Sequence, residues 1–136
     1  MTTFSSPVSS HLAAPVLFRE VDWATIPDVA GAYVIYDEEE VLYVGMAGRD
    51  QRGSLRRRLR EHASGQIVNM FAQYLFLARV QFMMAERCRH PNEAIVACRK
   101  YIRERCSFSF ITAADGAEAL ELEKRLKQEL RPSLNP

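Results

Sequence analysis

Glu123 sits where a carboxylate is hard to accommodate. In the last helix-like stretch, Ala119, Leu120, Leu126 and Leu130 fall within about 60° of it, while Glu121 lies nearly opposite. A carboxylate in an apolar stripe needs a cation, a partner or a route to water. Two readings stand: a rim residue whose tip reaches solvent, or a carboxylate aimed into a cleft between helix and sheet. Arg58 and His62 form a second candidate pair, spaced i, i+4 in "SLRRRLREH" and so stacked on one helix side. Arg suits bidentate contact with a phosphate, and His can move a proton near neutral pH. The third candidate is "GAYVIYDEEEVLYVG", in which Tyr33 and Tyr43 lie in two apolar runs separated by acids. Tyr and Val favour strands in any core, so these rings either pack or do chemistry.

Such groups cooperate only if the elements carrying them converge. The two runs predict strands near Ala32–Tyr36 and Glu40–Val44. If both tyrosines serve one site they must share a face. Period-two pleating then sets Tyr33 opposite Tyr43 and Tyr36 opposite Glu40, with a three-residue loop from Asp37 to Glu39. A two-residue Glu38–Glu39 turn would send the rings to opposite faces. Ser54 predicts the N-cap of a helix from Leu55 to about Ala63, with Leu55 and Leu59 inward and Gly65 as its stop. "IVNMFAQYLFLARVQFMMAERC" reads mostly as a buried helix, with "ARVQFMM" open to a strand instead. Asn92 to Arg105 predicts an amphipathic helix with Ile95, Cys98 and Ile102 as its stripe. "SFSFIT" predicts a third strand. Asp115 and Glu118 resemble a capping box, so a final helix starts there and ends before Pro132.

The chain's 136 residues, 48% of them hydrophobic, suffice for one core, and residues 16–136 read as a single domain. Residues 1–15, rich in Ser, Thr and Pro, read as a flexible leader, followed by a lead-in anchored by Trp23 and Ile26. No apolar run reaches membrane-span length and no basic signal region opens the chain, so a cytoplasmic protein without membrane contact is expected. A net charge of +1 argues against a general polyelectrolyte binder. Yet "RDQRGSLRRRLR" holds six arginines against one acid, which suits a directed anionic partner such as a phosphate backbone or, more plainly, a solvated helix face. Cys88, Cys98 and Cys106 contain no CxxC pair. They fit buried free thiols better than disulfides or a zinc site with His90.

In their joint order, "GAY" with "YVG" ten residues on, "RLREH", "LELEKRL" and the terminal "RPSLN" resemble the GIY-YIG nuclease domain. The resemblance runs from Gly31 to Asn135. It departs in reading Gly-Ala-Tyr for Gly-Ile-Tyr, and in placing Met46 where excision-repair members carry a lysine. The resemblance implies an α+β fold, a small three-stranded antiparallel sheet flanked by helices, which agrees with the three strands above. It places the motif tyrosines on Tyr33 and Tyr43, the helix arginine on Arg58, the residue four later on His62, the metal-binding glutamate on Glu123 and the terminal asparagine on Asn135.

What it implies of function is a divalent-metal-dependent endonuclease acting on duplex or branched DNA, with a protein partner supplying specificity. The alternative is a catalytically silent binding or interaction module on the same fold. In the enzyme, Glu123 would hold Mg²⁺ or Mn²⁺ through oxygen. Tyr33 would deprotonate or orient the attacking water, and His62 or Tyr43 could relay its proton. Arg58 would offset phosphate charge, and Asn135 would tie the C-terminal segment to the site. Arg49, Arg52, Arg56, Arg57 and Arg60 are the candidates for backbone contacts.

Overall fold

A computed structural model of the chain describes residues 6–48 and 53–135. Helix α1 spans Leu55–Ala63, begun by Ser54, whose side chain accepts a hydrogen bond from the Arg57 N–H. Asp115 does the same for Glu118 at the start of α5, Gly116–Leu130. That helix ends at Arg131, which takes the left-handed conformation (φ 49°) just before Pro132. Helix α4 spans Pro91–Arg105, with the proline in its first turn, where its missing N–H costs nothing.

The predicted buried helix over the middle of the chain is neither uniform nor fully buried. It divides into α2 (Met70–Leu75), a π-helical turn (Phe76–Val80) and α3 (Gln81–Met83). Phe71, Ala72, Leu75 and Val80 face the core, while Leu77, Phe82 and Met83 face outward. The π turn inserts an extra residue and shifts the helix face.

Among the described residues the sheet has four strands rather than three: β1 (Val16–Leu17), β2 (Gly31–Asp37), β3 (Glu40–Ala47) and β4 (Cys106–Thr112), in the order β1-β4-β2-β3. The lead-in segment supplies the fourth, Val16 pairing with Phe108 and Leu17 with Ser107. Trp23 then stacks on Phe108 at 6.0 Å, and Ile26 is buried. Within the expected leader, Val8 is buried and the Val8 and Ser9 N–H groups donate to the Glu129 carboxylate of α5.

The hairpin departs from the expected register. The turn is two residues, Glu38 and Glu39, with Glu38 in the left-handed region (φ 54°) and Asp37 paired with Glu40. Tyr33 pairs with Gly45, not with Tyr43, and Tyr43 pairs with Ile35. The two tyrosines still share a face. The register shifts between Ile35 and Tyr36, where Val41 faces Tyr36 and Leu42 is the extra residue. This bulge restores the parity that the short turn would have broken. Leu42 and Tyr43, adjacent in sequence, accordingly pack in the same core cluster.

One face of the sheet, carrying Tyr33, Ile35 and Phe108, packs on α1, α2 and α4. The other, carrying Ala32, Val34 and Val44, packs on Leu122 and Leu126 of α5 and on Val8. Cys98 and Cys106 are buried, and burial pushes their thiols up to about 11 and about 12. At the hairpin's turn end, buried Asp37 accepts from Arg79 at 2.9 Å, from Arg105 at 3.1 Å and from the Tyr101 hydroxyl. Arg79 also pairs with Glu40, so the π turn, α4 and the hairpin are locked through one carboxylate pair. Among the described residues, no helix is long and apolar enough to cross a membrane.

Candidate active site

The parts of β2 and β3 away from the hairpin tip, helix α1 with the residues just before it, and α5 line a cleft of about 530 Å³. Tyr33, Tyr43, Arg57, Arg58 and Glu123 all line it, together with Gly45 and Ser54. The tyrosines and arginines come from the α1 side. Glu123 joins from the α5 side, beside edge strand β3.

Tyr33 is 1% exposed, and its hydroxyl oxygen lies 2.6 Å from Nε2 of the fully buried His62. Gly45, its cross-strand partner, makes room for the ring: a Cβ there would come within 2.5 Å of the Tyr33 Cζ. Burial, then the neighbouring Tyr43, raises the Tyr33 phenol well above the ordinary range, with Arg58 opposing. Burial lowers His62 to about 3, Arg58 adding to the effect and a contact with Asn69 opposing it. The pair is therefore neutral at physiological pH. Among the described residues, His62 Nδ1 has no hydrogen-bond partner of good geometry. The imidazole is held by rings: Tyr33, Tyr43 and Phe71 lie 5.4, 6.0 and 5.2 Å from it. Tyr43 is half-buried, and burial raises its phenol too, with Arg58 opposing and Glu123 reinforcing.

Arg58 is held by Glu61, one turn on, at 3.2 Å, with its guanidinium partly open to the cleft. Glu61 also pairs with Arg57 at 3.7 Å. The arginine stripe divides. Arg57 is exposed and lines the cleft, and Arg60 is exposed outside it. Arg56, expected at a DNA backbone, is otherwise engaged: its Nε donates to the Ile26 carbonyl at 2.9 Å and its Nη2 to the Ala24 carbonyl at 3.4 Å. It fastens the lead-in segment to α1. Arg49 and Arg52 lie outside the described residues.

Glu123 is not at the centre of the α5 stripe. The buried residues are Ala119, Leu122 and Leu126, which puts Glu123 on the stripe's shoulder with a side chain 16% exposed. Its cationic neighbour is Lys127, 3.6 Å away at i+4. Asn135 lies outside the cleft lining and clamps the open edge of β3. The Val44 N–H donates to its Oδ1 at 2.8 Å, and its Nδ2 donates to the Val44 carbonyl at 3.0 Å. The N–H groups of Ser133 and Leu134 donate to Val41 and Leu42, extending the same edge cover.

Three residues at the site escape the sequence reading. Gly45 had a signal, a glycine inside a strand pattern, which often marks a close approach. Glu61 had one too, three residues from Arg58. Lys127 had only its i+4 spacing from Glu123.

Solved structures with a similar course of chain include the GIY-YIG N-terminal endonuclease domain of UvrC from Thermotoga maritima, bound to its catalytic divalent cation, magnesium. The likeness is 19% in identity with a TM-score of 0.45, over 84% of this chain and 91% of that one. Two point mutants of the same domain, also bound to the cation, follow at 18% and 17% identity, with TM-scores of 0.44 and 0.43 and 90% of their chains covered. The neighbours are GIY-YIG endonuclease domains. No family model and no curated protein matches the chain. Likeness at this level concerns fold, so what this cleft does has to be argued from its own side chains.

Proposed function

We propose that the protein is a divalent-metal-dependent endonuclease that hydrolyses DNA phosphodiester bonds. The observation that carries this is the convergence of two tyrosines, an arginine and a carboxylate, from four separate elements, on one open cleft. Apolar packing alone would not gather these groups around solvent.

The residues fit a hard divalent ion. Glu123 offers an oxygen ligand at the cleft wall, and its only ion pair among the described residues is the loose one with Lys127. Among the described residues no three His, Cys, Asp or Glu side chains cluster, so a site built here takes few protein ligands. Mg²⁺ and Mn²⁺ are commonly held in that way, by one or two carboxylates with waters and substrate phosphate. Such an ion, held by Glu123, would offset charge on the scissile phosphate and the leaving oxygen.

The chain's own groups divide the remaining work. Arg58, oriented by Glu61, meets the phosphate with a charged hydrogen-bond donor. Tyr33 is a neutral phenol whose raised pKa makes it a poor resting base. Its role is to fix the attacking water: with the His62 proton on Nδ1, Nε2 accepts from the Tyr33 hydroxyl, and the phenol oxygen is left to accept from water. Tyr43 supplies a second hydroxyl at the wall. Asn135 acts at a distance by holding β3, and with it Tyr43 and Gly45, in register.

The test is nicking of plasmid and of branched and linear duplexes with Mg²⁺, Mn²⁺ or EDTA. Glu123→Gln should lose at least about 100-fold in rate, as other charge-stabilising groups do. It should keep its fold and DNA affinity, and Glu121→Gln, outside the cleft, should do little. Full activity in Glu123→Gln, or equal losses in both variants, refutes the assignment. DNA binding without metal-dependent nicking by the unaltered protein would make it a silent binding module.

A further inference from the structure

Away from the cleft, Arg19, Arg99, Lys100 and Arg103 line a shallow groove with two carboxylates, Glu20 and Glu104. Arg19 is paired with Glu20 at 4.0 Å. Arg99, Lys100 and Arg103 are exposed and, among the described residues, have no carboxylate within ion-pairing distance. Arg60 shares that condition. This contrasts with Arg57, Arg58, Arg79 and Arg105, each of which is paired.

The unpaired cations adjoin the cleft. Helix α4 meets the C-terminal end of α1 closely: a Cβ on Gly65 would come within 2.6 Å of the Arg99 N. The Arg99 Nε donates to the Ser64 carbonyl at 2.9 Å. Residues 57, 60 and 64 recur on one side of α1, so the exposed face runs from cleft-lining Arg57 through Arg60 to Ser64, and there passes onto α4 at Arg99. Arg103 follows one turn later. The nine residues of α1 span about 13 Å and the Arg99–Arg103 turn about 6 Å. At about 3.4 Å per phosphate along one strand, the α1 stretch matches about four steps and the α4 turn about two.

We propose that this face of α1 and α4 is a second contact surface for the phosphate backbone of DNA, holding the arm of a duplex that leaves the cleft past the end of α1. The proposal rests on the nuclease reading for what occupies the cleft. The groove itself presents charge without base-reading geometry, so it positions DNA and carries no sequence preference. Phosphate is the partner that suits unpaired guanidinium and ammonium groups set a helical turn apart.

The experiment measures binding of a 20-base-pair duplex in EDTA over a range of salt, for the unaltered protein and for Lys100→Gln with Arg103→Gln. This double variant keeps the Arg99 bond to Ser64, and neither side chain has a described partner to lose, so thermal stability should be unchanged. Its log K against log salt slope should be shallower by about 1.8, with affinity about 30-fold weaker near 0.15 M salt. Single-turnover nicking of saturated complexes should match the unaltered protein. An unchanged slope in a protein that still binds duplex overturns the surface and leaves the nuclease reading standing. Weaker binding without a change in slope also overturns it, because phosphate neutralisation must change the slope. A reduced slope in a protein with no nicking activity supports the surface and removes the nuclease reading.

Discussion

The fully buried, neutral His62 makes stability depend on acid in a way that isolates this one residue. Its imidazole is held at about 3 in the fold, against about 6.5 in the unfolded chain. The unfolded state therefore binds the proton first as pH falls. The contribution is fully present above pH 6.5 and is lost progressively from there down through about 3. At pH 5 the loss comes to about 2 kcal/mol, from 1.5 pH units at about 1.4 kcal/mol each. The groups facing the ring are Tyr33 from β2, Tyr43 from β3, Phe71 from α2 and Arg58 from its own helix, with Asn69 at the α2 N-cap. Arg58 is the charge among these, and it acts against protonation. Urea denaturation at pH 7.5 and pH 5 of the unaltered protein and of His62→Gln is the assay. Both chains share every carboxylate, so the general effect of acid cancels in the difference between them. That difference should move by about 2 kcal/mol against the unaltered protein between the two pH values. A constant difference would show that His62 carries its proton inside the fold, or that water reaches it, and would refute the neutral Tyr33–His62 pair.

Further outcomes follow from the same geometry. Tyr33→Phe leaves the buried His62 Nε2 without its hydroxyl partner, so it should destabilise by about 1–3 kcal/mol in thermal or urea unfolding while also abolishing nicking. Gly45→Ala drives a methyl into the Tyr33 ring, and the ring or β3 must move. Activity should fall at least tenfold with little loss of far-ultraviolet ellipticity. Lys127→Met removes the ammonium 3.6 Å from Glu123, which competes with a dication for that carboxylate. Calorimetric titration of Mn²⁺ should show binding tightened about two- to five-fold, as expected for a partly exposed pair. Asn135→Ala uncaps Val44 on the sheet edge and should cost about 1–2 kcal/mol, through two lost hydrogen bonds, with a weaker fall in nicking than at Glu123.

Local chemistry was legible from the sequence because short-range forces decide it. Ser54 and Asp115 cap the helices they were expected to cap, since a side-chain oxygen three residues before an orphan N–H needs no tertiary help. The hairpin and the strand at "SFSFIT" followed from residue patterning for the same reason, while the α+β class came from the family resemblance, with which those strands agree. The bulge at Leu42 did not. It goes with the burial of both Leu42 and Tyr43 in one core cluster, where packing overrides simple alternation. Arg56 and Arg57 are adjacent arginines with no distinguishing local signal. Only the course of the lead-in segment ties one to carbonyls and leaves the other at the cleft. Helical angles placed Glu123 beside apolar residues, but the sheet's position decided that Leu122 and Leu126 are the buried centre and that the carboxylate reaches the cleft from its shoulder. The neutral state of Tyr33 and His62 was equally invisible, because desolvation belongs to the assembled core and to no residue alone.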